Sequence, residues 1–216
     1  WTLGGDLPYS YSPYAAVAVS PSTLYVSVES LGVFKSTDTG ATWNPVNNGF
    51  TALQPTDIFS TQNGRLLVAA GTYGYFYSID DGVNWSYNNS TGANMVVNKF
   101  LQLPGNVILA AGLGVASSGD NGSTWTVQSS ANSYQFIGSA NGTTVYLANL
   151  YNGGQLYTTT DLGATVTAVP ITGLSPNVFD MTWMDSSGNI YLRSNGVLYK
   201  VPSGSSQRAC GWDRAQ

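Results

Sequence analysis

The sequence predicts an all-β fold, a five-bladed β-propeller with four antiparallel strands in each blade. Three observations predict it. A turn motif recurs at a nearly constant spacing, short strand patterns repeat inside each spacing, and the composition favours strands and tight turns. Only 8% of the 216 residues are charged, while 43% are hydrophobic. An average soluble protein carries roughly 25% charged residues. Gly, Ser, Thr and Asn fill the gap, and these residues form turns. The 14 Tyr, 7 Phe and 6 Trp favour strands, as aromatic residues generally do.

The motif is the first element to justify. Ser36-Thr37-Asp38-Thr39-Gly40-Ala41-Thr42-Trp43 recurs as Ser78-Ile79-Asp80-Asp81-Gly82-Val83-Asn84-Trp85 and as Ser118-Gly119-Asp120-Asn121-Gly122-Ser123-Thr124-Trp125. A degraded copy runs from Thr159 through Asp161 and Gly163 to Val166. The aspartates step by 42, 40 and 41 residues, the spacing of four-stranded propeller blades.

The strands follow from the segments between motifs. A short apolar segment precedes each motif: Gly32–Lys35, Tyr75–Tyr77, Gly114–Ala116 and Gln155–Tyr157. A stronger strand comes before it: Leu24–Val28, Leu66–Ala70, Val107–Ala111 and Val145–Ala148. Each unit opens with a further strand, at Ala16–Val19, Asp57–Ser60, Lys99–Gln102 and Gln135–Gly138. Hairpin residues at Pro21, Asn63, Pro104 and Asn141 separate the first two strands of each unit. The fourth strand starts at the motif tryptophan.

A fifth unit lacks the motif but keeps strands at Phe179–Thr182, Asn189–Leu192 and Gly196–Lys200. Trp1 lies 42 residues before Trp43, the same step that separates Trp43 from Trp85. The spacing therefore predicts that Trp1–Leu3 is the fourth strand of the last blade and closes the ring, leaving no open edge there. Residues 1–201 then form one propeller, and 202–216 form a C-terminal tail with no place in it.

The repeated S-x-D-x-G-x-T-W pattern resembles the Asp-box, or bacterial neuraminidase repeat. That repeat is found in sialidases, sortilin-type receptors, xyloglucan-cleaving hydrolases and photosystem assembly factors. The resemblance covers nearly the whole chain. It implies that Ser36, Asp38, Gly40 and Trp43, with Ser78, Asp80, Gly82 and Trp85, Ser118, Asp120, Gly122 and Trp125, and Asp161 and Gly163, are structural. The hydroxyl and carboxylate bond backbone N–H groups across the turn, the glycine takes a positive φ, and the tryptophan packs between blades.

Sialidase chemistry, as the resemblance implies it, needs three arginines on the sugar carboxylate, a Tyr/Glu nucleophile pair and an Asp acid/base. The propeller region holds only Arg65 and Arg193, and Glu29 is the only glutamate, so that set cannot be built. General glycoside hydrolysis needs two carboxylates about 5 to 10 Å apart. Asp57 and Asp180, both in first strands, are the candidate pair for a divergent hydrolase. With Lys99 and Gln135 they also form a candidate polar ligand site in the central channel. The sequence contains no His, which removes Ser-His-Asp and Cys-His catalysis and His-based zinc sites. No metal site or cofactor is expected.

Binding is the leading expectation. Tyr11, Tyr73 and Tyr151 stand in Tyr- and Asn-rich loops suited to recognition. Small five-bladed propellers include lectins, so a non-catalytic, carbohydrate-binding module is expected. An interaction scaffold capable of self-association is the alternative. The partner is then a glycan or an extracellular protein. A net charge of −4 argues against nucleic acid, which needs a basic surface. No run of about 18 apolar residues is present to span a membrane. Without an initiator Met or signal peptide, the chain reads as a processed or trimmed form. Cys210 is the only cysteine, so no disulfide forms within the chain. Low charge and sequons at Asn84, Asn88, Asn89, Asn121 and Asn141 point to an extracellular or surface location, with Asn89 and Asn141 the candidate glycosylation acceptors.

Overall fold

A computed structural model describes the chain except residues 1–4, 6, 8–11, 53, 89–95, 141, 150–153, 170–178, 195–196, 202–209 and 212–216. The described residues form no helix. Five small antiparallel sheets stand in a ring as the blades of a five-bladed propeller.

Blade 1 is β1 (Pro13–Ala18), β2 (Leu24–Val28), β3 (Gly32–Ser36) and β4 (Asn44–Pro45). Blade 2 is β5 (Asp57–Ser60), β6 (Leu66–Ala69), β7 (Tyr75–Ser78) and β8 (Ser86–Asn88). Blade 3 is β9 (Val97–Gln102), β10 (Ile108–Ser118) and β11 (Thr126–Ser133). Blade 4 is β12 (Gln135–Ala140), β13 (Thr144–Asn149), β14 (Gln155–Thr159) and β15 (Thr167–Val169). Blade 5 is β16 (Phe179–Met184), β17 (Ile190–Ser194), β18 (Val197–Val201) and β19 (Cys210–Gly211).

Two expectations change. Blade 3 has one long strand where two were expected. The first half of β10 pairs with β9 and the second half with β11, with register shifts around Gly112–Gly114. At the join Gly114 takes a φ of 95°, a conformation open to glycine, and the chain passes through it without a separate loop. The second change is at the closing blade. The strand described at its outer edge is β19, with Lys200 opposite Cys210 and Tyr199 opposite Gly211. Trp1–Leu3 lie outside the described residues. The neighbouring N-terminal residues are engaged with blade 1: the Gly5 amide donates to Gly40 O at 2.7 Å, and Leu7 packs on Val26, Val28 and Phe34. The segment 202–216 therefore does contribute a strand to the ring, at Cys210–Gly211.

The core lies between blades rather than within a single sheet. Leu67, Ala69 and Tyr75 of blade 2 pack against Val97, Phe100, Ile108 and Ala110 of blade 3. Leu109, Ala111 and Val115 of blade 3 meet Phe136, Val145 and Leu147 of blade 4. Both faces of β6 are buried, so Leu66–Ala69 reads as an unbroken apolar run, not an alternating one.

Each motif turn closes in the same way. The hydroxyl of Ser36, Ser78, Ser118 or Thr159 donates to the aspartate two residues on at 2.7–2.8 Å. The same oxygen accepts the amide of Gly40, Gly82, Gly122 or Gly163 at 2.8–2.9 Å. The aspartate then accepts both the amide and the side chain of Thr42, Asn84, Thr124 or Thr165. The motif glycines take positive φ, and each of the last three abuts the preceding blade. A Cβ on Gly163 would lie 2.5 Å from Val115 Cγ1, and one on Gly122 3.0 Å from Leu67 Cδ1.

Two of the motif tryptophans bridge blades, while Trp43 packs on Val26, Val28 and Phe34 of its own blade. Trp85 Nε1 donates to Val46 O of blade 1 at 2.7 Å, and Trp125 Nε1 to Tyr75 Oη of blade 2 at 2.9 Å. A further tie joins blades 1 and 2. Tyr25 Oη donates to Asp81 Oδ1 at 2.5 Å, and Lys35 pairs with the same carboxylate. Burial works against the Asp81 charge, but the Lys35 and Tyr25 bonds win and hold its pKa below the usual carboxylate range.

Candidate functional site at the channel mouth

The strand order sets two unlike faces. The first strand of each blade begins on one face, and successive strands alternate direction. In blades 1, 2 and 4 the motif turns follow the third strands and therefore lie on the opposite face from the starts of the first strands. A cavity of about 450 Å³ opens among those starts, lined by Tyr14, Gln54, Thr56, Asn98, Lys99 and Gln135. The six residues come from four blades, so this is the mouth of the central channel.

The lining is a ring of amides, two hydroxyls and one ammonium. Lys99 is exposed, and Tyr14 is 48% exposed. Burial, then a hydrogen bond to Glu29, raises the Tyr14 pKa, so its hydroxyl stays protonated. The arrangement can hold a polar ligand through several neutral hydrogen bonds and one charge. None of the six lining residues is a carboxylate.

The expected channel residues divide. Lys99 and Gln135 line the mouth. Asp57 does not line this cavity. It is 7% exposed, and its Oδ2 accepts the Phe100 amide of blade 3 at 2.9 Å. The physical reason is the contact between the first strands of adjacent blades: β9 presents the Phe100 N–H toward β5, and the carboxylate accepts it. Burial pushes Asp57 up to about 6, against the pull of the Phe100 bond and the Lys99 charge. Asp180 lies in β16, but its side chain is outside the described residues. Tyr73 stands 58% exposed in the turn between β6 and β7 and does not line the cavity. Tyr11 and Tyr151, with Asn89 and Asn141, lie outside the described residues.

The sequence reading missed Gln54, Thr56 and Asn98. Their signal was position alone, at the starts of first strands or just before them. Asp38, Asp80 and Asp161 are consumed by the turn bonds, which hold each near a pKa of about 2. Among the described residues no group of three or more His, Cys, Asp or Glu is placed to hold a metal ion.

The architecture and this mouth define a propeller with a polar channel opening. No family model matches the chain, and no curated protein does. Among solved structures the chain is similar to YCF48 from Cyanidioschyzon merolae, with 14% identity and a TM-score of 0.72 over 95% of this chain and 72% of that one. It is also similar to an ancestral GH74 enzyme, at 19% identity and a TM-score of 0.69. That match covers 94% of this chain but only 30% of the enzyme. Virginiamycin B lyase from Staphylococcus aureus matches with 10% identity and a TM-score of 0.69, over 94% of this chain and 70% of that one. These likenesses are of fold, and the neighbours are propellers of varied function.

Proposed function

We propose that the chain is a non-catalytic binding module of the extracellular space or cell surface, and that it seats a carbohydrate at the channel mouth. One observation carries this reading. The mouth gathers Gln54, Asn98, Gln135, Thr56 and Tyr14 around open space, a set that matches the alternating donors and acceptors of sugar hydroxyls. The inward turn of Asp57 supports a non-catalytic role, because it takes one carboxylate of the candidate hydrolytic pair out of the cavity. The resemblance of the repeats to Asp-box proteins fits such a role. A glycan-array screen of the purified chain tests it. Binding to a defined sugar class that is lost in the Asn98→Ala, Gln135→Ala double variant is expected. Binding that survives that variant moves the site elsewhere.

A protein partner is the second reading, and one finding favours it. A solved structure of YCF48, similar to this chain at 16% identity and a TM-score of 0.63, holds a D1 peptide. Association of this chain with itself or with a peptide in the absence of any sugar binding would favour that reading.

A further inference from the structure

Among the described residues Lys99 is the one charged residue that lines the channel mouth, and the five around it are neutral. A ligand that fills this mouth with hydroxyls alone gives the ammonium no charged partner in direct contact. A ligand with a carboxylate satisfies it by a charge-assisted hydrogen bond, which is stronger than a neutral one.

The groups behind Lys99 matter as much. Asp57 is one strand away on β5, buried, and bonded to the amide of Phe100, the residue next to Lys99. Its neighbour Thr56 lines the cavity beside Lys99. The Asp57 carboxylate therefore stands just under the mouth floor, where the Lys99 charge acts on it. The elements packed on β5 are β1, β2, β6 and β9. Their titratable groups are Tyr14 on β1, held by Glu29, Tyr25 on β2, and Lys99 on β9; β6 has none. Of these, Lys99 is the one whose charge acts on Asp57.

We propose that the channel mouth selects saccharides bearing a carboxylate, and that buried Asp57 sets the strength of that selection by offsetting the Lys99 charge. This rests on the carbohydrate reading above and names its ligand class. While Asp57 is ionised, it weakens the field that Lys99 presents to an anion. Burial raises its pKa to about 6, so acidification through that value neutralises it. A uronic acid, with a carboxyl pKa of about 3.5, stays ionised at pH 5. Binding of the carboxylated sugar therefore strengthens as pH falls from 7.5 to 5.

The test is calorimetric titration of the whole chain with tri-galacturonic acid and with its methyl ester, at both pH values. The acid is expected to bind about tenfold tighter than the ester. Its affinity should rise about threefold at the lower pH, while that of the ester stays flat. Lys99→Gln, at an exposed position, should erase the preference. Asp57→Asn keeps an oxygen for the Phe100 amide and should hold the acid at its tighter affinity at both pH values. The pH series on the unaltered chain reads the same effect should that variant not fold. Equal binding of acid and ester overturns this inference and leaves the carbohydrate reading standing. A pH response that persists in Asp57→Asn overturns the role of Asp57. Binding by neither sugar, with capture of a peptide bearing a free C-terminal carboxylate, overturns both.

Discussion

At the scale of single residues, the turn motif acts through a hydroxyl with two duties. Ser78 Oγ donates to Asp80 and accepts the buried Gly82 amide. Removing the hydroxyl leaves that N–H unsatisfied, so Ser78→Ala is expected to cost roughly 1–3 kcal/mol, read by denaturant unfolding. The residue before each motif glycine is also in the left-handed region: Thr39, Asp81, Asn121 and Leu162 have φ of 56–61°. Asp and Asn tolerate it, and Leu does not. Leu162→Asn is expected to stabilise the chain by about 1 kcal/mol, seen as a higher melting temperature, and an unchanged or lower one would show the strain to be absent. The serine, aspartate and glycine of these turns were legible in the sequence because their bonds are local, spanning two to four residues. The inward turn of Asp57 was not. Its partner amide, Phe100, lies 43 residues away and belongs to another blade.

At the scale of elements, what each blade contributes is a seam with its neighbour. Trp85 is 4% exposed, packs edge-on to Phe50 at 5.9 Å, and ties to Val46 O. Trp85→Phe keeps a ring but drops the hydrogen bond, and should cost about 1 kcal/mol. Trp85→Ala also opens a cavity and should cost roughly 3–5 kcal/mol, so a small difference between the two would place the Trp85 effect in its polar bond rather than its bulk. Strand positions were readable where period and apolar runs agreed, as in β2, β6 and β13. The closing strand was not. Trp1 satisfies the 42-residue step, yet β19 occupies the edge of β18, because edge pairing depends on which distant segment reaches it and not on spacing. The long β10 escaped for a different reason: Val107–Ala111 and Gly114–Ala116 read as two separate strands, while the chain pairs on both sides of a join at which Gly114 takes a φ of 95°.

At the scale of the whole molecule, two sets of carboxylates oppose each other. The motif aspartates and Asp185 have folded pKa values near 2, Asp38 through the Thr42 hydroxyl and amide and the Ser36 hydroxyl, Asp185 through Asn189 first. A depressed pKa gives stability that is full above about 4 and is lost as pH falls toward 2. Asp57 has the reverse sign. Its raised pKa favours the protonated native state, so stability falls as pH rises through about 4 to 6, by a cost on the order of 3 kcal/mol. Unfolding followed across pH should therefore give a maximum near pH 4, with a decline from there to about pH 6. In Asp57→Asn the decline on the alkaline side should vanish; its persistence would locate the cause elsewhere. Ring architecture itself was the most legible feature, because a repeat read once is read again in every unit.

The fourth motif ends in Val166 where three others end in tryptophan, and the difference has a kinetic meaning. Among the joints that a motif side chain spans, the one with the least buried surface opens first. Val166 is only partly buried against blade 3 and brings no indole to that joint. Transient gaping there would let solvent deuterium reach the amides of β14 and β15 ahead of those in β6 and β7, and mass-resolved exchange would record blade 4 as the hinge at which the closed circle briefly becomes an open chain.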